Sequence, residues 1–312
     1  MRISEIAKDL LRFRISPYRA DETGPIEVKA SQTVATQSKI DLAVQDLKVD
    51  SSFAENSNSA FKGFQLQKVL KATISKDPLI EGSNEDTCIL RLHGDLQRAA
   101  VFDGASESFA ARKWSRLLSE EWGRGKVLDQ DWIAKAQNRY QSELAGLNLS
   151  WAQEAAIERG SFATIASLEI ENGLINTCIV GDSSLFFIDS RGVMKSMPFR
   201  SESQFTSAPT ALSSKHSALK ENYENINKFT ERSYSFRPNG VGYVLLATDA
   251  VSCWLLSDDL VTHLQRLLKL FECKTSTDFH NLVLEERRGN SMKIDDSTVI
   301  LLKIFDYVVS NN

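Results

Sequence analysis

Six aspartates stand where apolar runs begin or end. Asp86 precedes Thr87 to His93 and Asp103 follows Arg98 to Phe102. Asp182 lies in the turn after Leu174 to Val180, Asp249 follows Val241 to Thr248, and Asp295 and Asp296 come before Ser297 to Phe305. Taken singly, a carboxylate at a strand tip is an ordinary solvated end residue. Several strand ends of one sheet core can converge on one edge, however, and carboxylates gathered there repel one another until a cation compensates them. Hard divalent cations take oxygen ligands of this kind, which points to Mn²⁺ or Mg²⁺. The four histidines are scattered, and Cys88, Cys178, Cys253 and Cys273 have no CxxC spacing, so the chain offers zinc no ligand set.

The elements that must position these residues are legible in the periodicity. Lys68 to Ser75, Thr87 to His93 and Arg98 to Phe102 are rich in β-branched and apolar residues and read as strands. Ala110, Trp114, Leu117 and Leu118 recur at helical spacing before Gly123 and Gly125, and a second helical stretch over 131–159 breaks near Gly146. Two strands flank Glu171-Asn172-Gly173, a hairpin turn, and shorter strands follow at Leu185 to Ile188 and Val193 to Met197. Residues 200–239 are polar and too long for a simple connection, which suggests a flap. A buried strand over 241–248, helices over 259–271 and 277–287, and a final strand over 297–305 complete the chain. The expected fold is an α+β domain with a largely antiparallel sheet core. Residues 1–62 differ in composition and read as an extension, weakly structured or packed onto a main domain over 63–308.

Composition narrows the function. With 37 basic and 41 acidic side chains in 312 residues, net charge −4, the chain is not built to grip a nucleic-acid backbone. No run approaches a membrane span and no signal or transit pattern opens the sequence, so a cytoplasmic protein is expected. Walker and dinucleotide glycine loops are absent, which leaves a kinase or ATPase without an anchor. The tryptophans at 114, 122, 132 and 151 read as helix-sheet packing, Cys88 and Cys178 as core, and Glu285 to Arg288 as a solvated charge run.

The same residues carry a family resemblance. Asn84-Glu85-Asp86, Phe102-Asp103-Gly104-Ala105-Ser106, Gly160-Ser161-Phe162-Ala163-Thr164, Gly181-Asp182-Ser183, Leu246-Ala247-Thr248-Asp249-Ala250 and Asp295-Asp296-Ser297-Thr298 occur in that order. The series resembles the metal-dependent protein phosphatases of type 2C, over about residues 65–305, and is closest to bacterial members. The resemblance implies a central antiparallel β-sandwich flanked by helix pairs, in αββα layers, with a two-metal site at one edge. Asp103 would bridge both ions and the Gly104 carbonyl would bind one of them. Asp249 and Asp295 would hold the other ion, Glu85 and Asp86 would orient bound waters, and Asp182 would help to build a third site. Ser161 and Thr164 match packing and turn positions. The activity implied is hydrolysis of phosphoserine or phosphothreonine in a phosphoprotein, with two or three Mn²⁺ or Mg²⁺ ions and a serine/threonine kinase as counterpart.

Three positions depart from the family pattern. Ala105 stands where many members have a histidine that can protonate the leaving alkoxide, and Glu81 where many have an arginine that grips phosphate. Ala250 replaces a frequent glycine beside Asp249. Lys76 or Arg91 are substitutes for the arginine, and His93 a candidate proton donor. The departures motivate an alternative, a phosphatase-like regulatory or binding module with little turnover, and a weaker one, a metal-stabilised structural protein.

Overall fold

A computed structural model describes residues 64–92, 96–125, 131–171, 174–188, 194–205, 209–232, 241–257 and 259–306. The extension over 1–62 and His93 lie outside them. Two antiparallel sheets form the centre. In the first, the order is β1 (Phe64–Ile74), β11 (Ser297–Asp306), β10 (Val241–Ala247), β6 (Ser184–Ile188) and β7 (Met194–Met197). In the second it is β2 (Thr87–Arg91), β3 (Leu96–Gly104), β4 (Phe162–Glu171), β5 (Leu174–Val180) and β9 (Thr230–Arg232), with β8 (Leu212–Ser213) also paired to β4.

The central strands are apolar at consecutive positions because both of their faces are covered. In β10, Val244 and Leu246 point into the core between the sheets, while Tyr243, Leu245 and Ala247 join the core under the helices. In β3, Ala99 and Val101 face the first sheet, while Ala100 and Phe102 face the helices on the opposite side. Over the second sheet lie α1 (Ala111–Arg124) and α2 (Asp131–Leu144), which bury Trp114, Leu117, Leu118, Trp122, Trp132, Ile133 and Tyr140. After the short α3 (Trp151–Arg159) and the later α4 (Leu219–Phe229) come α5 (Asp249–Leu255), α6 (Leu260–Glu272) and α7 (Ser276–Arg288). These last three cover the outer face of the first sheet through Val251, Trp254, Leu267, Leu270, Phe271, Phe279 and Val283. Helices, sheet, sheet, helices is the αββα order that the resemblance implies.

Tertiary packing changes several local expectations. The 200–239 stretch contains α4, β8 and β9, with Leu212, Asn222 and Ile226 buried against the second sheet; its described part belongs to the fold and is not a simple flap. Asn222 explains how so polar a segment is held, since its side chain both accepts from the Ser213 N–H and donates to the Ser213 carbonyl. The break at Gly146 falls where expected, at φ +88°. Trp151, however, is 83% exposed, because α3 is short and turns its first residue away from the core. The Glu285 to Arg288 run is not uniformly solvated. Glu286 and Arg287 are buried, and α7 turns them inward to meet Trp254, Lys269 and the strand ends beneath.

Candidate metal centre

The strand ends bring their aspartates to one edge of the sandwich. Asp103 is the penultimate residue of β3, Asp86 immediately precedes β2, Asp182 lies in the β5–β6 turn, Asp249 starts α5 directly after β10, and Asp295 precedes β11. Antiparallel pairing of Thr87 with Phe102 and of Ala247 with both Val299 and Ser184 places these ends side by side. The edge thus draws residues from both sheets.

Thr248 ties the two halves together. Its hydroxyl donates to Asp86 Oδ2 at 2.9 Å and accepts from the Thr298 N–H at 3.0 Å, and its own N–H reaches the Thr298 carbonyl. Asp296 pins the loop before β2, accepting from the Lys76 N–H at 2.7 Å and the Glu85 N–H at 2.5 Å. Arg287 holds the other loop, donating to the carbonyls of Ser75 and Asp295 and to Ser297 Oγ. Gly104 is required by crowding: a Cβ there would stand 2.9 Å from the Glu85 carbonyl oxygen and 3.0 Å from that of Ala111. Gly181 aims the turn that carries Asp182, with φ +99° and Thr164 and Thr210 packed against it. Ser161 and Thr164 bond to Tyr140 and Ser183 respectively, as the packing roles require.

Electrostatics follow from this convergence. Asp103 keeps part of its surface open to solvent but lies deep in the protein. Desolvation first, then the charges of Asp86, Asp249, Asp182 and Asp295, push its carboxyl well above the usual range. Asp86 is pushed up in the same way, by burial and by Asp296 and Asp249, against the hydroxyls of Thr298 and Thr248 that favour its charged form. Asp182 is raised to about 7, by burial and then by Asp249. Burial and mutual repulsion thus both penalise the charged forms of these carboxyls. Asp86 Oδ1 is also buried with no hydrogen-bond partner, and a buried acceptor left bare costs about 1–3 kcal/mol. A hard cation on that side of the cluster would remove both penalties, so the donor set fits a divalent ion.

Two lysines now take part. Lys76 Nζ lies 2.6 Å from Glu85 Oε2 and 2.7 Å from Ser106 Oγ, the latter in the loop that follows β3. Lys293 Nζ spans Asp249 Oδ2 at 2.9 Å and Asp295 Oδ2 at 2.7 Å. Burial opposes the charge on Lys293, but Asp249 and Asp295 outweigh it and raise its pKa. Among the described residues, no three carboxylates, imidazoles or thiols close on a common point as their side chains stand. Of the substitutes for the missing arginine, Lys76 is at the edge, whereas Arg91 lies against Gly123 of α1. Glu81 and Ala105 are exposed. Sequence reasoning missed Lys293, the Asp296 and Thr248 tethers, and buried Arg287. The only local signal was Lys293 standing two residues before Asp295.

No protein-family model matches the chain, and no curated protein matches it. Solved structures similar to it include the catalytic domain of the serine/threonine protein phosphatase PstP in complex with two manganese ions. That structure is 15% identical with a TM-score of 0.49, over 78% of this chain and 100% of that one. The Mycobacterium tuberculosis serine/threonine phosphatase PstP/Ppp is 14% identical, with a TM-score of 0.46 over 80% of this chain and 100% of that one. The photosystem II phosphatase PBCP is 16% identical, with a TM-score of 0.45 and the same coverage. The layered fold is the one that the type 2C resemblance implies, and these solved structures similar to it are phosphatases.

Proposed function

We propose that the chain is a Mn²⁺- or Mg²⁺-dependent phosphoprotein phosphatase that hydrolyses phosphoserine or phosphothreonine. The observation that carries this reading is the gathering of Asp86, Asp103, Asp182, Asp249 and Asp295 at one edge, where burial and mutual repulsion push up the carboxyls of Asp86, Asp103 and Asp182 and Asp86 Oδ1 is buried and bare. Asp103 would contribute to both metal positions and the Gly104 carbonyl to one of them, Asp249 and Asp295 would hold the other, and Glu85 and Asp86 would orient water. Asp182 would contribute to a third position. Divalent ions held there supply charge for the phosphate oxygens and an acidified water as nucleophile.

The protein's own groups do the rest by positioning. Lys76 presents an ammonium beside Ser106 in the loop that follows β3 and would steady a phosphate in place of the arginine that Glu81 replaces. Because Ala105 cannot donate a proton, the leaving alkoxide takes its proton from water. No serine or cysteine nucleophile is needed: the water oxygen bonds to phosphorus as the phosphorus–alkoxide bond breaks. The substrate would be a phosphorylated cytoplasmic protein, the product of a serine/threonine kinase. No helix among the described residues is long and apolar enough to cross a membrane.

Hydrolysis of a phosphothreonine peptide in EDTA, Mg²⁺ or Mn²⁺ tests the proposal. Turnover that depends on the metal and falls by roughly 100-fold or more in Asp249→Asn is expected, the scale on which removing one electrostatic stabiliser acts. The second reading, a regulatory module with little turnover, is favoured by Lys293 lying across Asp249 and Asp295. A protein that binds Mn²⁺ stoichiometrically yet leaves the peptide intact would decide for it.

A further inference from the structure

The two halves of the acidic edge differ in how their oxygens are engaged. On one side, Asp86 accepts at Oδ2 from the Thr248 hydroxyl and keeps a buried, unpartnered Oδ1. Asp103 beside it is opposed by four other carboxylates. On the other side both oxygens of Asp249 and both of Asp295 are engaged. Asp249 Oδ1 accepts from the Ala250 N–H at 2.6 Å and Asp295 Oδ1 from the Asp296 N–H at 3.0 Å, while both Oδ2 atoms hold Lys293 Nζ.

From this asymmetry, and resting on the metal-site reading above, we propose that Lys293 is a built-in counter-ion. Its ammonium takes the cation position between Asp249 and Asp295, so that a divalent ion enters the Asp86–Asp103 half alone while Lys293 is seated. The physical reason is competition for the same two oxygens. A divalent ion shared by Asp249 and Asp295 through their Oδ2 atoms must displace the ammonium from both. The ammonium is tethered two residues from Asp295, so its local concentration is high and independent of metal supply. Its side chain is 59% exposed, so it can swing into solvent without repacking the core. Lys293 thereby acts as a positioning residue: it sets how many ions the edge holds and keeps Asp249 and Asp295 together when metal is scarce.

The test is a Mn²⁺ titration of the full chain by calorimetry, for wild type, Lys293→Met and Lys293→Arg, paired with thermal unfolding in EDTA. Wild type and Lys293→Arg should bind one ion in the micromolar range, and Lys293→Met one ion more. In EDTA, Lys293→Met should melt lower than wild type, since two adjacent carboxylates lose their only shared cation, and saturating Mn²⁺ should restore it. Equal stoichiometry in wild type and Lys293→Met overturns the role of Lys293 and leaves the metal centre standing. Absence of Mn²⁺ binding in every variant overturns the metal centre itself, and this inference with it.

Discussion

Asp103 faces the charges of Asp86, Asp249, Asp182 and Asp295 from a desolvated position, so at the residue scale its carboxylate works against folding unless a cation is present. Function and stability are then opposed at this one side chain. Asp103→Asn should abolish metal-dependent turnover and yet raise the melting temperature of the metal-free protein at pH 8. About 2–4 °C is expected for each kcal/mol of repulsion relieved. A lower melting temperature in EDTA would show that Asp103 has a stabilising partner after all. Lys76 is predicted to act on binding. Lys76→Met removes a charge-assisted contact worth about 1.5–3 kcal/mol, so KM for a phosphopeptide should rise by about tenfold or more with kcat changed less. An unchanged KM would exclude phosphate as its ligand. Part of this was legible in the chain itself, because an aspartate at the tip of an apolar run marks a strand end. Lys293 was not, since its ion pair with Asp249 spans 44 residues and depends on how the loop before β11 meets the start of α5.

At the scale of elements, the site is held by tethers between loops. Arg287 is a helical residue, yet its guanidinium crosses to Ser75, Asp295 and Ser297 and so fixes the loops that precede β2 and β11 relative to α7. Desolvation lowers its pKa, and Asp296, Asp295 and Asp86 oppose that shift. Arg287→Met keeps the apolar stem and removes the head. It should cost about 3–5 kcal/mol, the penalty for breaking a buried charge network, seen as a lower urea midpoint, and it should also weaken Mn²⁺ binding. Stability close to wild type would mean that the loops hold without it. A charge run such as Glu285 to Arg288 reads as solvated from sequence because charged side chains are seldom fully buried. Which two of the four turn inward depends on the rotation of α7 against the first sheet.

The whole molecule titrates as one system. Asp86 and Asp103 have carboxyls well above the usual range, and Asp182 is raised from 3.8 to about 7. A carboxyl raised on folding keeps its proton in the native state after the unfolded chain has released it. Stability is therefore fully present below the unfolded value and is lost as pH rises through the folded one. For Asp182 the shift corresponds to about 4 kcal/mol at complete ionisation. Half-buried His263, held below its ordinary value by desolvation, works in the opposite sense, so Asp182→Asn is the control that isolates the carboxyl. Metal-free protein should lose stability between pH 5 and pH 8 in urea unfolding, Asp182→Asn should lose less, and Mn²⁺ should flatten or reverse the slope by favouring the ionised carboxylates. A metal-free profile that is level or rises over this range would refute the account.

The antiparallel α+β core was legible in the apolar runs of the sequence, whereas the αββα layers and a metal edge were what the type 2C resemblance implied. Apolar runs covered on two faces must become central strands, and a strand that ends on an aspartate must leave that carboxylate at the sheet edge. The helix-break position was local too, set by Gly146. Only the tertiary structure decided the fate of the described part of 200–239, the exposure of Trp151, and the inward turn of Glu286 and Arg287. The same holds for the seating of Lys293 between Asp249 and Asp295. Each of these depends on contacts between segments distant in sequence, whose energies come from burial and charge pairing rather than from local propensity.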